Sequence, residues 1–374
     1  FKGRINQMGN SYTALSTQDH QDILLNGGEK GGIRTSASLF MRKPPVKRPA
    51  HHKGDICCMA AQRSGIVVTG SRDKTMKLNN IDTGEVYMDW RGHDLEVTKV
   101  AYKFRNGKHF IISGSRDEKV KIWGFGHENS LSTINAHTKS VSGLTVNDDG
   151  HIFSGSRDTT VRKWDSETGK QMAMNHRSRN LITHMVFNAA TKTIAQSSED
   201  KSIKLWDERD LSLIAEFPKK NNIQTFVEYL PDGMQLLSCS NGFNGDGCEI
   251  SLYDVRQRRV LREFRGHEDT VTSVSLLGWP SANSIQAFTQ RRLILSTSHD
   301  KTVRVWNLDE GVCLWNHDGS DNHGPLFSSL CFQDGCIVVA GADGALVSMQ
   351  LHARAGRPLL QTLAYTSSPS SSEY

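Results

Sequence analysis

The chain has 374 residues, of which 37% are hydrophobic and 23% charged, and its 45 Lys and Arg against 40 Asp and Glu give a net charge of +5. So small an excess of mixed charge gives no reason to expect a nucleic-acid partner. No apolar run reaches the roughly 18–20 residues of a membrane-spanning helix, and the first residues do not form a signal-peptide pattern. The length suits two ordinary domains or one array of repeats.

Residues 1–33 are predicted to form a flexible polar arm, loosened by glycines at positions 27, 28, 31 and 32. Within the arm, MGNSYT at 8–13 matches the N-myristoylation pattern Met-Gly-x-x-x-Ser/Thr, so Gly9 is a possible lipidation site if it becomes the N-terminus. One acyl chain binds a membrane only marginally, and the basic stretch MRKPPVKRPAHHK at 41–53 offers a second signal. A chance match beside an ordinary basic linker is the alternative. A membrane partner is therefore expected only if Gly9 is myristoylated.

One motif recurs about every 40–45 residues between positions 51 and 351. Its clearest copy is SGSRDTTVRKWD, which begins at Ser154. Related copies begin at Thr69, Ser113, Gln196, Ser296 and Val339, and a divergent one occupies 242–254. This is the period of a propeller blade made of four strands, so seven units predict one closed repeat domain over residues 51–351.

Each copy combines a turn with a strand. In KVKIWG and TVRVWN every second side chain is apolar, which is typical of a strand with one buried face. The preceding SRD or SHD favours a turn, because the Asp carboxylate accepts hydrogen bonds from nearby backbone N–H groups. The fuller copies also begin with Gly-His or Ala-His, with a valine four residues after the histidine.

These motifs resemble the WD-repeat β-propeller family over about four-fifths of the chain. The resemblance implies an all-β fold, a single seven-bladed WD-repeat β-propeller with a flexible N-terminal arm. It also implies that His, Ser or Thr, Asp and Trp of a blade form a buried, hydrogen-bonded structural tetrad. The complete sets are His93, Ser113, Asp117 and Trp123; His137, Ser154, Asp158 and Trp164; and His267, Ser296, Asp300 and Trp306.

Three further blades keep only part of this set. Their residues at the corresponding positions are His52, Thr69, Asp73 and Asn79 in blade one, Ser178, Gln196, Asp200 and Trp206 in blade four, and His323 and Asp343 in blade seven. Because a partly satisfied polar network stabilises less than a complete one, these blades are expected to depend more on packing against their neighbours.

Ser, His and Asp are also the parts of a nucleophilic triad, so an enzyme that uses one of these sets is an alternative. Repetition favours the structural interpretation, because an active site is normally built once. The chain has no Gly-x-Ser-x-Gly elbow, His-Glu-x-x-His motif or Walker loop. Its seven cysteines include no Cys-x-x-Cys pair, which favours a reducing, cytoplasmic compartment. The prediction is a protein without catalytic activity, cofactor or metal.

Three arginines, Arg72, Arg116 and Arg157, directly precede the motif aspartate in blades one, two and three. The family resemblance implies that this position lies on the rim of one face, where arginines of some relatives hold phosphorylated peptides. Guanidinium groups bind phosphates and carboxylates bidentately, so the three are a possible anion-binding or partner-binding cluster. The alternative is that arginine is a common, well-solvated residue of this turn.

Two segments compete for the strand that closes the ring. One is SLFM at 38–41, within residues 34–50, which otherwise form a basic linker. The other is LLQTLAY at 359–365, within a C-terminal strand and Ser-rich tail at 352–374. Closure matters because an open ring leaves unpaired strand edges. In blade six, an insertion between Pro280 and Arg292 is expected to project as a partner-specific loop.

Segments of blades four and five, above all SCSNGFNGDGCEISLYDVRQ at 238–257, are similar to one group within the WD-repeat family. That resemblance implies a protein of cilia or flagella, linked to trafficking and to regulators of small GTPases. The predicted function is a non-catalytic scaffold for protein–protein interactions, with ciliary or axonemal proteins as partners. The alternative is a phosphopeptide or substrate receptor that uses the arginine cluster.

Overall fold

The computed structural model describes residues 44–178, 180–277, 292–318, 324–354 and 357–367. These ranges contain 29 strands in seven sheets and a 3₁₀ turn at Ala342–Gly344. The prediction of an all-β, seven-bladed propeller is confirmed. Residues 1–33, Gly9, the SLFM segment, His323 and residues 278–291 of the blade-six insertion lie outside the described part of the chain.

Blades one to four are four-stranded antiparallel sheets whose strands follow one another in chain order. Blade one contains β2 (Ile56–Arg63), β3 (Ile66–Ser71), β4 (Thr75–Asn80) and β5 (Val86–Arg91). Blade two contains β6 (Val97–Arg105), β7 (Lys108–Ser115), β8 (Val120–Gly124) and β9 (Ser132–Ile134). Blade three contains β10 (Val141–Val146), β11 (Ile152–Ser156), β12 (Val161–Trp164) and β13 (Gln171–Asn175). Blade four contains β14 (Ile182–Asn188), β15 (Thr193–Ser198), β16 (Ile203–Asp207) and β17 (Leu213–Glu216).

Blades five and six follow the same order, and blade seven adds a strand from the other end of the chain. Blade five contains β18 (Gln224–Tyr229), β19 (Gln235–Ser240), β20 (Ile250–Asp254) and β21 (Arg259–Phe264). Blade six contains β22 (Val271–Leu276), β23 (Leu293–Ser298), β24 (Thr302–Asn307) and β25 (Cys313–Asp318). Blade seven contains β26 (Leu326–Cys331), β27 (Cys336–Gly341), β28 (Leu346–Arg354), β29 (Arg357–Ser367) and β1 (Val46–Pro49).

Blade seven shows how the ring closes. The LLQTLAY segment lies in β29, which is the fourth strand of the blade. β1 pairs with it in parallel as a fifth strand, from Val46 opposite Ala364 to Pro49 opposite Ser367. The propeller thus extends beyond the predicted limits of residues 51 and 351, into the segment that the sequence predicts to be a basic linker. The sequence of β1, VKRP, lacks apolar alternation, so its pattern does not indicate a strand.

The segment that contains β1 also binds blade one. Arg48 Nη1 donates to the carbonyl of Ile81 at 2.5 Å, and Nη2 donates to that of Asp82 at 2.6 Å. His51 Nε2 lies 2.9 Å from the carbonyl of Gly84 in the same turn between β4 and β5. The outermost strand of blade seven is therefore tied to its neighbour by side-chain contacts with backbone carbonyls.

The apolar core consists of separate clusters that lie between neighbouring blades. Between blades two and three, for example, Ile112 and Ile122 pack with Val141 and Leu144. The cluster between blades seven and one includes Val338, Leu346, Ile56 and Val67, so the ring is closed by packing as well. Each fully buried aliphatic side chain contributes about 1.5–3 kcal/mol. Because each cluster is shared, the stability of one blade depends on both its neighbours.

A set of hydroxyl groups joins the innermost strands of blades two to six. The second residue of each of these strands lies at a β-bulge, and in blades two to five the bulge turns its side chain toward the next blade. Thr98 donates to the Val141 carbonyl at 2.5 Å, and Ser142 donates to that of Ile182. In the same way, Thr183 donates to the carbonyl of Gln224 and Thr225 donates to that of Val271, both at 2.6 Å.

Candidate functional site

A turn of sequence Ser-x-Asp joins the second and third strands in five blades, and we call it the Ser-x-Asp turn. The Asp N–H donates to the hydroxyl of the serine two positions earlier, and its Oδ1 accepts from the N–H two positions later. The residue after Asp has a φ between 67° and 72°, although none is glycine: Lys74, Glu118, Thr159, Lys201 and Lys301. The aspartate's own hydrogen bonds thus support a conformation that side chains rarely adopt.

The complete tetrads are hydrogen-bonded chains. In blade two, His93 Nδ1 lies 2.8 Å from Asp117 Oδ2 and its Nε2 lies 2.7 Å from Ser113 Oγ. Trp123 Nε1 donates to the same Ser113 Oγ at 2.8 Å. The corresponding distances in blades three and six are 2.7–2.8 Å, for His137, Asp158, Ser154 and Trp164 and for His267, Asp300, Ser296 and Trp306. The structure therefore brings together all twelve residues in three sets of four.

Protonation follows from burial and hydrogen bonding. Burial lowers the pKa of His137 and of His267, and the neighbouring carboxylates offset this only in part. Burial alone would raise the pKa of the Asp117 carboxyl, but hydrogen bonds from His93 and from backbone N–H groups lower it to about 2. At neutral pH, His137 and His267 are therefore neutral. Their Nδ1–H groups donate to Asp, and their Nε2 atoms accept from the Ser hydroxyls.

The order from serine to histidine to aspartate is that of a nucleophilic triad, but the serine is not available for chemistry. Ser113, Ser154 and Ser296 are each fully buried, with an exposed fraction of 0%. Each Oγ also accepts the indole N–H of its tryptophan. A nucleophile must approach its substrate to about 3–3.5 Å, which burial beneath the indole prevents. These groups hold the Ser-x-Asp turn to the third strand.

Blade four makes the same connection with other residues. Gln196 Nε2 donates to Ser178 Oγ at 2.7 Å, and Gln196 Oε1 accepts the Trp206 indole N–H at 2.8 Å. Lys204 Nζ donates to Asp200 Oδ2 at 2.7 Å, in the place that histidine holds elsewhere. One amide therefore replaces the serine hydroxyl and the Nε2 contact, and a buried ammonium replaces the Nδ1–H donor.

The other incomplete blades differ again. In blade one, Asn79 Nδ2 donates to Thr69 Oγ1 at 2.9 Å in place of an indole, while His52 keeps its contacts with Asp73 and Thr69. In blade five, Lys220 occupies the histidine position, since its N–H donates to Lys201 as that of His137 does to Glu118. Its ammonium is bonded to Glu263 and lies 3.4 Å from Glu249.

Blade seven dispenses with the polar network in its described residues. Val339 and Met349 hold the serine and tryptophan positions, and both belong to the apolar cluster between blades six and seven. Asp343 belongs to no tetrad among the residues that the structure describes, and its N–H donates to Asp55 Oδ1 of blade one at 3.0 Å. The role of Lys204 in blade four has no signal in the sequence, because Lys121 and Arg162 hold the same position in blades with a complete tetrad.

The three candidate arginines lie at equivalent positions, shown by a shared hydrogen bond from their N–H to the carbonyl just before the first strand. Each is more than half exposed, and each faces an acid. Arg72 lies 2.7 Å from Asp55, Arg116 3.0 Å from Glu96, and Arg157 3.3 Å from Glu199. The three arginines of blades one to three are therefore each paired with an acid, one of them from blade four, which lowers their attraction for a further anion.

The described residues contain no group of three or more His, Cys, Asp or Glu side chains that could hold a metal ion. All seven cysteines are free thiols. Burial raises the pKa of the Cys58 thiol and of the Cys239 thiol, so neither is a reactive thiolate at neutral pH. No helix in the described ranges is long and apolar enough to cross a membrane.

Comparison with known proteins identifies a repeat family. The model described as WD40, "WD domain, G-beta repeat", matches residues 43–80, 84–124, 128–165, 169–207 and 258–307, more than half of the chain. These five matches contain the five Ser-x-Asp turns. The match thus follows the repeats in which the turn is intact.

Similar curated proteins have varied roles. Nuclear distribution protein nudF of Aspergillus niger is 24% identical over 70% of this chain and 60% of its own length. Periodic tryptophan protein 2 of Arabidopsis thaliana is 25% identical over 72% of this chain and 28% of its own length. The ribosome biogenesis protein WDR12 homolog of Oryza sativa is 27% identical over 55% of this chain and 54% of its own length. The chain thus spans less than two thirds of each of these relatives.

Proposed function

The chain belongs to the WD40-repeat family, whose propellers generally act as non-enzymatic scaffolds, and from this premise we propose that it is a non-catalytic scaffold for other proteins. The main support for a non-catalytic role is that the three Ser-His-Asp sets are buried beneath tryptophan. These groups stabilise the propeller. Its turns and outer strands therefore remain available to bind partners.

The absence of catalysis is tested with a fluorophosphonate probe, which labels activated serines. We expect no labelling of Ser113, Ser154 or Ser296 in the folded protein. Replacement of Ser154 by Ala should instead lower the melting temperature, because it leaves the Trp164 N–H and His137 Nε2 unpaired. Labelling of any of the three serines, with stability retained in the alanine variant, would mean that the protein is an enzyme.

The scaffold itself is tested by reconstitution. Proximity labelling with the intact chain supplies candidate partners, and purified partners are then mixed with it pairwise and all together. We expect size-exclusion chromatography with light scattering to show a complex that contains two different partners at once. Partners that only displace one another, or none that binds directly, would contradict the proposal.

For its location we propose a cilium or flagellum, with a role in trafficking or assembly and in the regulation of small GTPases. The support is the likeness of segments in blades four and five to WD repeat-containing protein 31. A tagged chain in ciliated cells should be enriched in isolated cilia over the cell body. Equal or lower abundance in the cilia fraction would contradict this location.

Membrane attachment is proposed only for a chain acylated at Gly9. Arg48, part of the basic stretch considered as a second signal, is engaged with the carbonyls of Ile81 and Asp82 and is not free for lipid. Intact-mass spectrometry of the protein from its native cell decides the matter. A mass that begins at Gly9 and includes a myristoyl group supports attachment, and an unmodified N-terminus excludes it.

Phosphopeptide binding by Arg72, Arg116 and Arg157 is the second candidate, favoured by their exposure on consecutive blades. It requires a phosphate to displace Asp55, Glu96 and Glu199. Fluorescence anisotropy with a library of phosphopeptides, and with the same peptides unphosphorylated, tests it. Phosphate-dependent binding that disappears when all three arginines become glutamate would support this function.

A further inference from the structure

Blade five replaces the Ser-x-Asp turn by a longer loop with a defined conformation. Nine residues, 241–249, separate β19 from β20, and we call them the blade-five loop. Phe243 N–H donates to the Asp246 carbonyl at 3.1 Å, and Asp246 N–H donates back at 3.2 Å. The two residues between them, Asn244 and Gly245, have φ values of 53° and 80°. This is the two-residue hairpin that Asn-Gly favours, because both central residues require positive φ.

Contacts at both sides hold the loop in place. Asn222 Nδ2 donates to the Asn241 carbonyl at 2.9 Å, and Ile223 N–H donates to Asn241 Oδ1 at 2.9 Å. Gly247 packs so closely on the Asn222 amide that a Cβ would lie 1.3 Å from its nitrogen. On the other side, Gly245 N–H donates to the Glu268 carbonyl of blade six at 3.0 Å. The loop is therefore ordered before any partner binds.

This ordered loop carries Phe243 with 71% of its surface exposed, the highest value among the exposed large hydrophobic residues described. Burial of an exposed aromatic side chain against a partner is favourable, because it removes apolar surface from water. Because the loop is already fixed, binding through Phe243 requires little further loss of conformational entropy. Rigid aromatic side chains of this kind are frequent binding hot spots.

Acidic residues lie near Phe243 along the backbone. Phe243 forms backbone bridges to Asp246 and to Asp269, and the exposed Glu268 follows His267 at the start of blade six. None of these three acids forms an ion pair with a Lys or Arg among the described residues. In blade two, by contrast, Asp94 at the position of Glu268 is neutralised by Lys119 at 2.7 Å. The ion pair of Arg265 is with Glu263, so Arg265 offsets the Asp246 charge only in part, and negative charge near Phe243 is available to a ligand.

We propose that the blade-five loop, with the start of blade six, is a docking site for an arginine-containing basic segment of a partner protein. A guanidinium stacks on the face of Phe243 while its N–H groups donate to the carboxylates of Asp246 and Glu268. Arginine fits better than lysine, because its planar group satisfies the ring and the acids together. This inference rests on the proposed scaffold function and adds one binding surface with its chemistry.

The experiment is selection from a phage-displayed library of random peptides on the immobilised full chain. We expect arginine to be enriched in the selected peptides. Their affinity, measured by fluorescence anisotropy, should fall about tenfold or more in Phe243→Ala and in the double variant Asp246→Asn with Glu268→Gln. Replacing each arginine of a selected peptide by lysine should also weaken binding.

Matched controls use features of the same kind elsewhere on the chain. Phe104, 55% exposed near the end of β6, is replaced by alanine, and exposed Asp210 and Glu128 are replaced by their amides. These variants should bind the peptides as the parent does. Selected peptides that are not basic, or that bind equally to Phe243→Ala, would overturn the site and leave the scaffold function intact. A library that yields no binding peptide at all would count against both.

Discussion

Blades three and four hold the same turn to the same strand by different chemistry. In blade three the Asp158 carboxylate accepts from a neutral histidine, His137, whereas in blade four Asp200 accepts from the ammonium of Lys204. The Lys204 side chain is only 3% exposed and that of Asp200 only 7%. The turn thus requires a buried carboxylate with its hydrogen bonds filled, but not a particular donor. Asp158 also has a cation near it, Arg162, but at 3.7 Å. The difference therefore predicts that blade four depends more on charge pairing and blade three more on hydrogen bonding.

The largest expected effect comes from removing the charge of these carboxylates. Asp200→Asn leaves the Lys204 ammonium buried without its close partner, and we expect it to lower the free energy of unfolding by about 3–5 kcal/mol. Asp158→Asn keeps a neutral acceptor for His137, but it turns an amide toward backbone donors and removes the charge that faces Arg162 at 3.7 Å, so its cost should be about 1–3 kcal/mol. Urea unfolding at pH 7 measures both.

The control is exposed Asp149→Asn, which should leave the unfolding midpoint unchanged. Equal losses in Asp200→Asn and Asp158→Asn would mean that the ammonium relaxes toward Glu216, whose carboxylate lies 3.6 Å from it. In that case the two networks are energetically alike.

The pH dependence of stability should also differ between the two kinds of network. The pKa of His137 is lowered by burial, so the unfolded chain takes up the proton first as the pH falls below about 6.5. Stability contributed by neutral His137 is therefore lost on acidification from pH 7 to pH 5. The Asp158 carboxyl has its pKa lowered in the fold, despite burial, by hydrogen bonds from His137 and Thr160. Its contribution is present above about pH 4 and is lost only at lower pH.

Transplanting the blade-four residues into blade three tests this assignment. The variant carries His137→Ser, Ser154→Gln and Arg162→Lys, which copy Ser178, Gln196 and Lys204. We expect it to lose less stability than the parent between pH 7 and pH 5, measured as the shift of the urea midpoint. Replacement of exposed His127 by Ser is the control and should leave the shift as it is. An unchanged shift in the transplant would show that His137 does not contribute to the acid sensitivity.

The sequence predicts a structural element well when the residues that determine it are close together in the chain. The strands and the Ser-x-Asp turns repeat a short pattern, so they follow from alternation and from the aspartate. β1 does not, because VKRP forms a strand only through an edge that lies more than 300 residues away. The Asn244–Gly245 dipeptide indicates a hairpin, but the exposure of Phe243 depends on the contact with blade six.

Some contacts of the candidate site can likewise be predicted from the local sequence pattern, and others cannot. The residues of the tetrads can be predicted from the repeat, because each keeps its place relative to the aspartate of the Ser-x-Asp turn. The acids that face the arginines cannot be named so, since Glu96 lies 20 residues before Arg116 and Glu199 lies in the next blade from Arg157. The substitution of Lys204 for histidine also has no local signature, as Lys121 holds the equivalent position in a blade with a complete tetrad.

Ring closure offers a contrast between packing and side-chain bonding. Arg48→Ala removes two hydrogen bonds from a charged group to the carbonyls of Ile81 and Asp82, and we expect a loss of about 1–3 kcal/mol. Hydrogen exchange of residues 46–49 and 364–367 should accelerate more than that of blade three. Lys47→Ala, the neighbouring exposed position, should change neither quantity. If both variants behave alike, β1 is held by strand pairing alone.

The smallest effect is expected for Arg116, which directly precedes the aspartate of the Ser-x-Asp turn in blade two. Arg116 is 62% exposed, and its partner Glu96 is 31% exposed, so solvent and salt screen the pair. Arg116→Ala should therefore lower the free energy of unfolding by no more than about 1 kcal/mol, and by less in high salt. Urea unfolding at two salt concentrations measures it beside Asp117→Asn, whose carboxylate lies within the tetrad. A loss for Arg116→Ala as large as that for Asp117→Asn would make the arginine part of the structural network, and it would then not be free to bind a partner.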